Sequence, residues 1–130
     1  MPRVGLSKTF RFEAAHHLSN YEGKCACLHG HSYRLRVVVS GSVNHSDKAG
    51  IVLDFGTLSE AVDEVVLRKY DHKDLNAFFE HPTAENMVQV IWAELVNWFR
   101  SRSEMSHVEV EQVRLWETEN CWAEYPFRII

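Results

Sequence analysis

The sequence predicts an α+β domain in which two helices cover one face of a four-stranded antiparallel sheet. Two observations lead to this prediction. Segments with strand-like alternation lie towards both ends of the chain, and two segments with helical spacing of apolar residues lie between them. The element order is therefore strand, strand, helix, helix, strand, strand. A length of 130 residues, 45% of them hydrophobic, suits a single domain spanning residues 1–130.

The first strand pair is predicted over residues 7–16 and about 29–40, separated by a polar loop. In the first strand the residues of one parity are Phe10, Phe12, Ala14 and His16. In the second strand one face carries His29, His31, Tyr33, Leu35, Val37 and Val39, and the other face carries Arg34 and Arg36. Since alternate residues of a strand point to opposite faces, each strand has one apolar side that ends in histidine.

Two helices are predicted after a second loop at residues 42–50. Asp54 is a suitable N-cap for a helix that extends to about Tyr70. Thr83 follows Pro82 and can cap a second helix that extends to Phe99. Apolar residues recur at helical spacing in both segments, so each helix has one face available for packing.

The last two strands are predicted at about residues 107–118 and 121–130. In the first of these the apolar parity slips between Val110 and Val113. Such a slip indicates a β-bulge.

The charge balance and the N-terminus limit the classes of function. Fourteen basic and eighteen acidic residues give a net charge of −4, which gives no reason to expect a nucleic-acid partner. No signal-peptide core or membrane span is recognisable, and three cysteines suit a reducing compartment as free thiols. A cytoplasmic location without a membrane partner is therefore expected.

Three histidines form the leading candidate for a metal site. His29 and His31 are two residues apart on one strand, so both imidazoles point to the same face. His16 ends the neighbouring strand on its apolar side and can supply a third nitrogen. Three nitrogen ligands with an open position are typical of catalytic zinc.

A structural zinc site is the alternative reading of the same segment. Cys25 and Cys27 could join His29 and His31 as four ligands, in a non-enzymatic domain that presents its surface to a protein partner. The two cysteines are separated by one residue, which is tighter than the usual spacing of two to four.

Four further residues could take part in chemistry or binding. Cys25 lies close enough to the histidines to act as a thiolate base. Asp71 and His72 follow the first helix and form either an oriented carboxylate–imidazole pair or a solvated helix end. Glu117 has the parity of the inward residues of its strand, where a carboxylate usually has a partner or ligand.

Taken in order, these segments resemble the 6-pyruvoyl-tetrahydropterin synthase family, which includes the 6-carboxy-tetrahydropterin synthases of queuosine biosynthesis. The resemblance covers nearly the whole chain and depends on six motifs: Phe12-Glu13-Ala14-Ala15-His16, Cys25-Ala26-Cys27-Leu28-His29-Gly30-His31, Leu53-Asp54-Phe55, Asp71-His72, Pro82-Thr83-Ala84-Glu85-Asn86 and Trp116-Glu117-Thr118. It implies a T-fold of two hairpins and two helices. It also implies trimers, usually paired into hexamers, with active sites at subunit interfaces.

The resemblance also implies roles for individual residues. The expected zinc ligands are His16, His29 and His31. Cys25 matches the catalytic cysteine, and Asp71 and His72 match its proton-relay partners. Glu117 matches the acid that anchors the pterin ring, and Thr83 lies in a motif that helps to hold it.

Within the family, the gap between the cysteine and the first histidine separates two subgroups. Pyruvoyl synthases resemble C-x5-H-G-H and carboxy synthases resemble C-x3-H-G-H. The three residues between Cys25 and His29 favour the carboxy subgroup, unless Cys27 is the working thiol. The implied reaction converts 7,8-dihydroneopterin triphosphate to 6-carboxy-5,6,7,8-tetrahydropterin, acetaldehyde and triphosphate. The triphosphate-binding residues are not identified by any spacing, and Lys24 and several arginines are candidates.

Overall fold

A five-stranded sheet forms the centre of the computed structural model, which describes residues 2–18, 23–43 and 50–128 apart from the side chains of Lys24 and Cys25. The strands are β1 (Arg3–His16), β2 (His29–Ser42), β3 (Lys73–Asp74), β4 (Glu109–Trp116) and β5 (Trp122–Tyr125). Their order across the sheet is β3-β1-β2-β4-β5.

The first helical segment begins after Asp54, whose side chain accepts a hydrogen bond from the backbone N–H of Gly56. It consists of α1 (Phe55–Val62), a π-helical turn (Asp63–Leu67) and a short α2 (Arg68–Tyr70). The second helix, α3 (Ala84–Arg100), begins after Thr83, whose hydroxyl accepts from the N–H of Asn86. Both predicted N-caps are therefore confirmed, and both helix ends lie within one residue of the prediction.

The prediction of a four-stranded, wholly antiparallel sheet is wrong in one respect. A fifth strand, β3, pairs in parallel with Ala14 and Ala15 of β1, so the sheet is mixed. This strand has only two residues and both are exposed, so it carries no alternation of apolar and polar side chains that a sequence pattern could reveal. The parallel pairing is instead a consequence of where the helix that ends at Tyr70 returns the chain to the sheet.

The β1–β2 ladder is longer than predicted and has no irregularity. It pairs Arg3 with Ser42 at one end and His16 with His29 at the other. The β2–β4 ladder contains the predicted bulge, because Val38 faces Gln112 while Val39 faces Val110. Strands β4 and β5 are shorter than predicted, and residues 129–130 lie outside the described part.

The helices cover one face of the sheet and leave the other open. Phe12, Tyr33 and Leu35, on the covered face, are almost completely buried against apolar residues of α1 and α3. Residues of the opposite parity, such as Arg11 and Ser32, remain exposed. Of the helices described here, none combines the length and the apolar character that a membrane crossing requires.

Candidate metal centre

Three imidazole rings meet at the end of the β1–β2 hairpin, on the face covered by the helices. His16 is the register partner of His29, and His31 follows two residues later on the same side of β2. Each Nε2 atom of His16, His29 and His31 lies 3.1 Å from the other two. The sequence prediction that these rings converge is therefore confirmed, and among the described residues they form a group able to hold a metal ion.

Hydrogen bonds at the far side of two rings determine which nitrogen carries the proton. Nδ1 of His16 is 2.8 Å from the Pro82 carbonyl oxygen, and Nδ1 of His29 is 2.7 Å from the Cys27 carbonyl oxygen. A carbonyl only accepts hydrogen bonds, so both Nδ1 atoms must donate. In a neutral ring Nε2 then has a lone pair and no proton.

The resulting cluster of lone pairs fits a bound cation. Lone pairs that face one another at 3.1 Å repel, and one proton could bridge only one of the three contacts. A zinc ion binds histidine nitrogens at about 2.0–2.1 Å, and three nitrogens at this separation can all reach one such ion. The donor set of three neutral imidazoles therefore suits zinc, with a coordination position left for another ligand.

The surroundings of the third ring disfavour its protonated form. Burial, followed by the charges of His16 and His29, lowers the pKa of His31. Tyr33 lies beneath the cluster, with its ring centroid 5.5 Å from that of His31 and its hydroxyl 3.4 Å from Nδ1 of His16. Burial and the negative charge of Glu117 raise the pKa of Tyr33, so the hydroxyl stays protonated. Tyr33 was predicted only as a core residue, although it shares the parity of His31.

Glu117 is the fourth predicted residue that the fold brings to the cluster. Its Oε1 atom lies 3.9 Å from Nε2 of His16, and its side chain is 30% exposed. It is also in the wall of a cavity of about 750 Å³. The cavity wall also includes Arg114, Cys121 and Trp122, which the sequence analysis did not assign to a site. Their only sequence signal was proximity to Glu117.

Thr83 supports the centre through the turn at the start of α3. Its hydroxyl caps α3, and the preceding residue, Pro82, accepts the hydrogen bond from His16. The side chain of Asn86 donates to the carbonyl of His81 and so fixes the same turn. The turn that begins α3 therefore sets the orientation of one histidine ring.

Asp71 and His72 form the predicted carboxylate–imidazole pair, with Nδ1 of His72 3.0 Å from Oδ1 of Asp71. The N–H of Glu13 also donates to this carboxylate at 2.9 Å, and that hydrogen bond is the main reason that the pKa of Asp71 is lowered. His72 has φ of 61°, a left-handed conformation that is uncommon outside glycine. Its backbone N–H donates to the carbonyl of Glu13.

The pair is held at the outer edge of β1. Among the described residues, no hydrogen bond or ion pair joins Asp71 or His72 to the three histidines. His72 and His31 do border the same open cavity of about 550 Å³. Within the described chain, the Asp71–His72 pair and the three histidines are therefore not joined by a hydrogen bond or an ion pair.

The loop before β2 contains two cysteines, Cys25 and Cys27. The side chain of Cys25, the predicted catalytic thiol, lies outside the described part of the structure. Cys27 is exposed and contacts His29 through its carbonyl oxygen. His29 and His31 direct Nε2 towards His16, so the donor set seen among the described residues consists of three histidines and differs from the Cys2His2 alternative.

Comparison with known proteins identifies a family profile that covers almost the whole chain. The profile described as 6-pyruvoyl tetrahydropterin synthase matches residues 5–127. A putative 6-carboxy-5,6,7,8-tetrahydropterin synthase from Archaeoglobus fulgidus is 37% identical over 121 residues, which are 93% of this chain and 92% of the relative. The 6-carboxy-5,6,7,8-tetrahydropterin synthase of Haemophilus influenzae is 33% identical over 142 residues, 92% of this chain and 96% of the relative.

A relative with a different activity is similar to a comparable degree. A dihydroneopterin monophosphate aldolase from Pyrococcus furiosus is 36% identical over 107 residues, 82% of each chain. Among solved structures, the 6-pyruvoyl tetrahydropterin synthase of Caenorhabditis elegans superimposes with a TM-score of 0.78 at 28% identity. The match covers 96% of both chains.

Proposed function

The chain belongs to the 6-pyruvoyl tetrahydropterin synthase family, a family of enzymes, and from this premise we propose that it is a zinc-dependent carbon–carbon lyase. The proposed reaction converts 7,8-dihydroneopterin triphosphate and one water molecule to 6-carboxy-5,6,7,8-tetrahydropterin, acetaldehyde and triphosphate. Two relatives named as carboxy synthases and the three-residue gap between Cys25 and His29 support this choice of product.

The observation that carries the proposal is the triangle of Nε2 atoms with 3.1 Å sides. His16, His29 and His31 would hold the ion, and the carbonyls of Pro82 and Cys27 fix two of these rings in the tautomer that can bind it. A zinc ion bound there supplies Lewis acidity to the hydroxyl groups of the substrate side chain.

Glu117 is proposed to anchor the pterin ring. Its carboxylate can accept two hydrogen bonds, from the amino group and a ring N–H of the pterin. Glu117 lines the 750 Å³ cavity and lies 3.9 Å from Nε2 of His16, so a ring bound to it could extend its side chain towards the metal ligands. Thr83 is proposed to assist by holding the turn at the start of α3, beside the same cavity.

Proton transfer is proposed to use two separate groups, because one group cannot serve both faces of the side chain. Cys25, as a thiolate, would remove a proton from a carbinol carbon. His72 would deliver a proton elsewhere, with its ring oriented by Asp71 at 3.0 Å. The 77% exposure of the His72 side chain leaves it accessible to a substrate.

We propose that the enzyme assembles into trimers or hexamers with the active site shared between copies. In the described chain the outer edge of β1 from Arg3 to Glu13 lies beyond the two-residue pairing with β3. The outer edge of β5 lies at the opposite end of the sheet order. Unpaired edges of this kind are templates for pairing with another copy. Assembly would also allow Asp71 and His72 of one copy to approach the histidines of another.

The proposal is tested by incubating purified, zinc-loaded protein with 7,8-dihydroneopterin triphosphate and identifying the products by mass spectrometry. 6-Carboxy-5,6,7,8-tetrahydropterin together with acetaldehyde is the expected result. A 6-pyruvoyl product with loss of triphosphate would keep the family and refute the assigned subgroup. Release of the side chain by an aldol cleavage would assign the activity named for the Pyrococcus relative. No turnover with zinc bound would favour the structural zinc alternative.

A further inference from the structure

The open face of the sheet carries a concentration of arginine side chains. One row of register partners across the sheet contains Arg11, Arg34, Trp116 and Trp122, and the adjacent row contains Thr9, Arg36, Arg114 and Glu124. These two rows hold four arginines and one carboxylate, in a chain whose net charge is −4. We call Arg11, Arg34, Arg36 and Arg114 the arginine face.

The arrangement places like charges directly opposite each other. Arg11 faces Arg34 across the β1–β2 ladder, and Arg36 faces Arg114 across the β2–β4 ladder. Like charges in directly opposed positions destabilise a sheet. Two such pairs in adjacent rows reduce the stability of the sheet locally. Features that reduce stability in this way are expected at functional sites.

Little of this charge is neutralised within the chain. Arg114 pairs with Glu124, at 2.9 Å. Among the described residues, no carboxylate lies within ion-pairing distance of Arg11, Arg34 or Arg36. Glu13 lies one row beyond Arg11 and accepts a hydrogen bond from Ser32. Three guanidinium groups on neighbouring positions therefore lack an anionic partner in the described chain.

Several of these side chains are nevertheless held in place. The guanidinium of Arg34 lies over the Trp116 ring at 3.9 Å, and that of Arg114 lies over the Trp122 ring at 4.6 Å. Nε of Arg36 donates to Ser7 at 2.8 Å. Since these contacts use a π-face or one N–H, most donors of Arg34 and Arg36 stay available. Binding an anion would cost little further loss of side-chain freedom.

We infer that the arginine face is a binding site for an oligophosphate anion, separate from the metal centre. A guanidinium presents paired N–H donors that match phosphate oxygens, and directly opposed strand residues have Cβ atoms about 5 Å apart. One chain of linked phosphates can therefore meet several of these groups. The choice of triphosphate as the ligand rests on the proposed function, which releases that anion.

The site is distinct because of strand parity. His16, His29 and His31 project to the face covered by the helices, whereas the four arginines have the opposite parity. Arg114 also borders the cavity whose wall contains Glu117. An oligophosphate on the arginine face would not need the metal ligands. Its binding can therefore be measured without turnover.

The test is isothermal titration of sodium tripolyphosphate into zinc-loaded protein at low ionic strength. Arg11→Gln and Arg36→Gln each remove one charge from the arginine face, and Arg68→Gln removes one from α2, where Arg68 pairs with Asp63. We expect each of the first two variants to weaken tripolyphosphate binding about tenfold and Arg68→Gln to leave it unchanged. Circular dichroism and zinc content after titration check the fold and any chelation of the metal.

Among the described residues, no hydrogen bond or ion pair involves the side chain of Arg11, so Arg11→Gln keeps the test valid if Arg36→Gln fails to fold. Absence of binding to the wild-type protein, or equal weakening by Arg68→Gln, would overturn the inference. A change in assembly mass of the Arg11→Gln protein without tripolyphosphate would also overturn it, because the arginines would then hold copies together.

Turnover measurements identify the source of the phosphate. An unchanged KM for 7,8-dihydroneopterin triphosphate in the arginine variants indicates that the site binds free triphosphate, and a KM raised in proportion to the lost affinity indicates the triphosphate arm of the substrate. Both results support an oligophosphate site. Tripolyphosphate binding without any turnover would leave this inference standing and refute the proposed function.

Discussion

Nδ1 of His16 donates a hydrogen bond to the carbonyl oxygen of Pro82 at 2.8 Å, which couples the end of β1 to the start of α3. The residue after Pro82 is the N-cap of that helix. The metal centre is therefore supported by a contact between elements that are 66 residues apart in the chain. The cap of α3 and the orientation of the His16 ring therefore depend on the same turn.

Thr83→Ala is expected to destabilise the protein by about 1 kcal/mol, because the N–H of Asn86 loses its hydrogen-bond acceptor. Thermal denaturation should show a melting temperature lower by about 4 °C. Thr83→Ser keeps the hydroxyl and should stay close to wild type. Equal losses in both variants would show that the threonine methyl group, and not the cap, provides the stability.

His29→Ala is expected to reduce bound zinc from about one ion per chain to nearly none, since catalytic zinc sites usually use three protein ligands. His17→Ala is the matched control, because His17 lies beside the cluster and contacts Asn76. Metal content after dialysis, measured by mass spectrometry, checks both variants. Retention of zinc in His29→Ala would remove His29 from the ligand set.

Glu117→Gln is expected to weaken pterin binding about 10- to 100-fold, because a carboxylate that accepts two hydrogen bonds becomes a neutral amide. Zinc content should not change, since the carboxylate lies 3.9 Å from the nearest ligand nitrogen. Fluorescence titration with a pterin measures the affinity. Glu119→Gln, at an exposed position two residues later, should bind normally. Normal binding by Glu117→Gln would show that Glu117 has no role in binding the pterin.

Cys25→Ala is expected to lower turnover about 10²- to 10⁴-fold, the usual contribution of a general base, while zinc and fold are retained. Cys27→Ala is the control, because Cys27 contacts His29 through its backbone carbonyl. A steady-state assay of both variants decides which thiol is used. Loss of activity in Cys27→Ala alone would reverse the assignment and weaken the spacing argument for the carboxy subgroup.

The hydrogen bond from Glu13 to Asp71 is expected to make stability depend on pH in the acid range. The pKa of Asp71 is lowered in the folded chain, so the folded state favours the carboxylate. This contribution is complete above the ordinary pKa of about 3.9 and is lost as the pH falls through the lowered folded value. A carboxyl titration followed by NMR should show a midpoint below about 3.9. Asp71→Asn should be destabilising at neutral pH and close to neutral in effect at low pH, and a midpoint at or above 3.9 would contradict this account.

The elements with regular periodicity were predictable from the sequence. Alternation identified the faces of β1 and β2, and the side chains of Asp54 and Thr83 marked both helix starts. These features are local, so a single sequence is enough to recognise them. The convergence of His16, His29 and His31 followed from strand parity and from the pairing of two neighbouring strands.

The remaining features depend on tertiary contacts. Strand β3 has two exposed residues, and it forms by pairing with the edge of β1. The π-helical turn at Asp63–Leu67 interrupts a segment whose apolar spacing predicts an uninterrupted helix. The hydrogen bond of His16 to the Pro82 carbonyl is a backbone contact, and no side-chain motif records it. The arginine face required the register of four strands, of which the sequence showed only Arg34 and Arg36 on one side.

The uninterrupted pairing of β1 with β2 makes metal binding depend on the correct register of this hairpin. If the ladder slipped by one residue, His16 would face Gly30, and the histidines of the two strands would point to opposite faces. A slipped hairpin could not gather three imidazoles around one ion. Zinc binding would therefore stabilise the correctly paired hairpin over its misaligned forms, in proportion to the affinity of the site. In a metal-poor cell, fewer chains would then gain this stabilisation of the correct pairing.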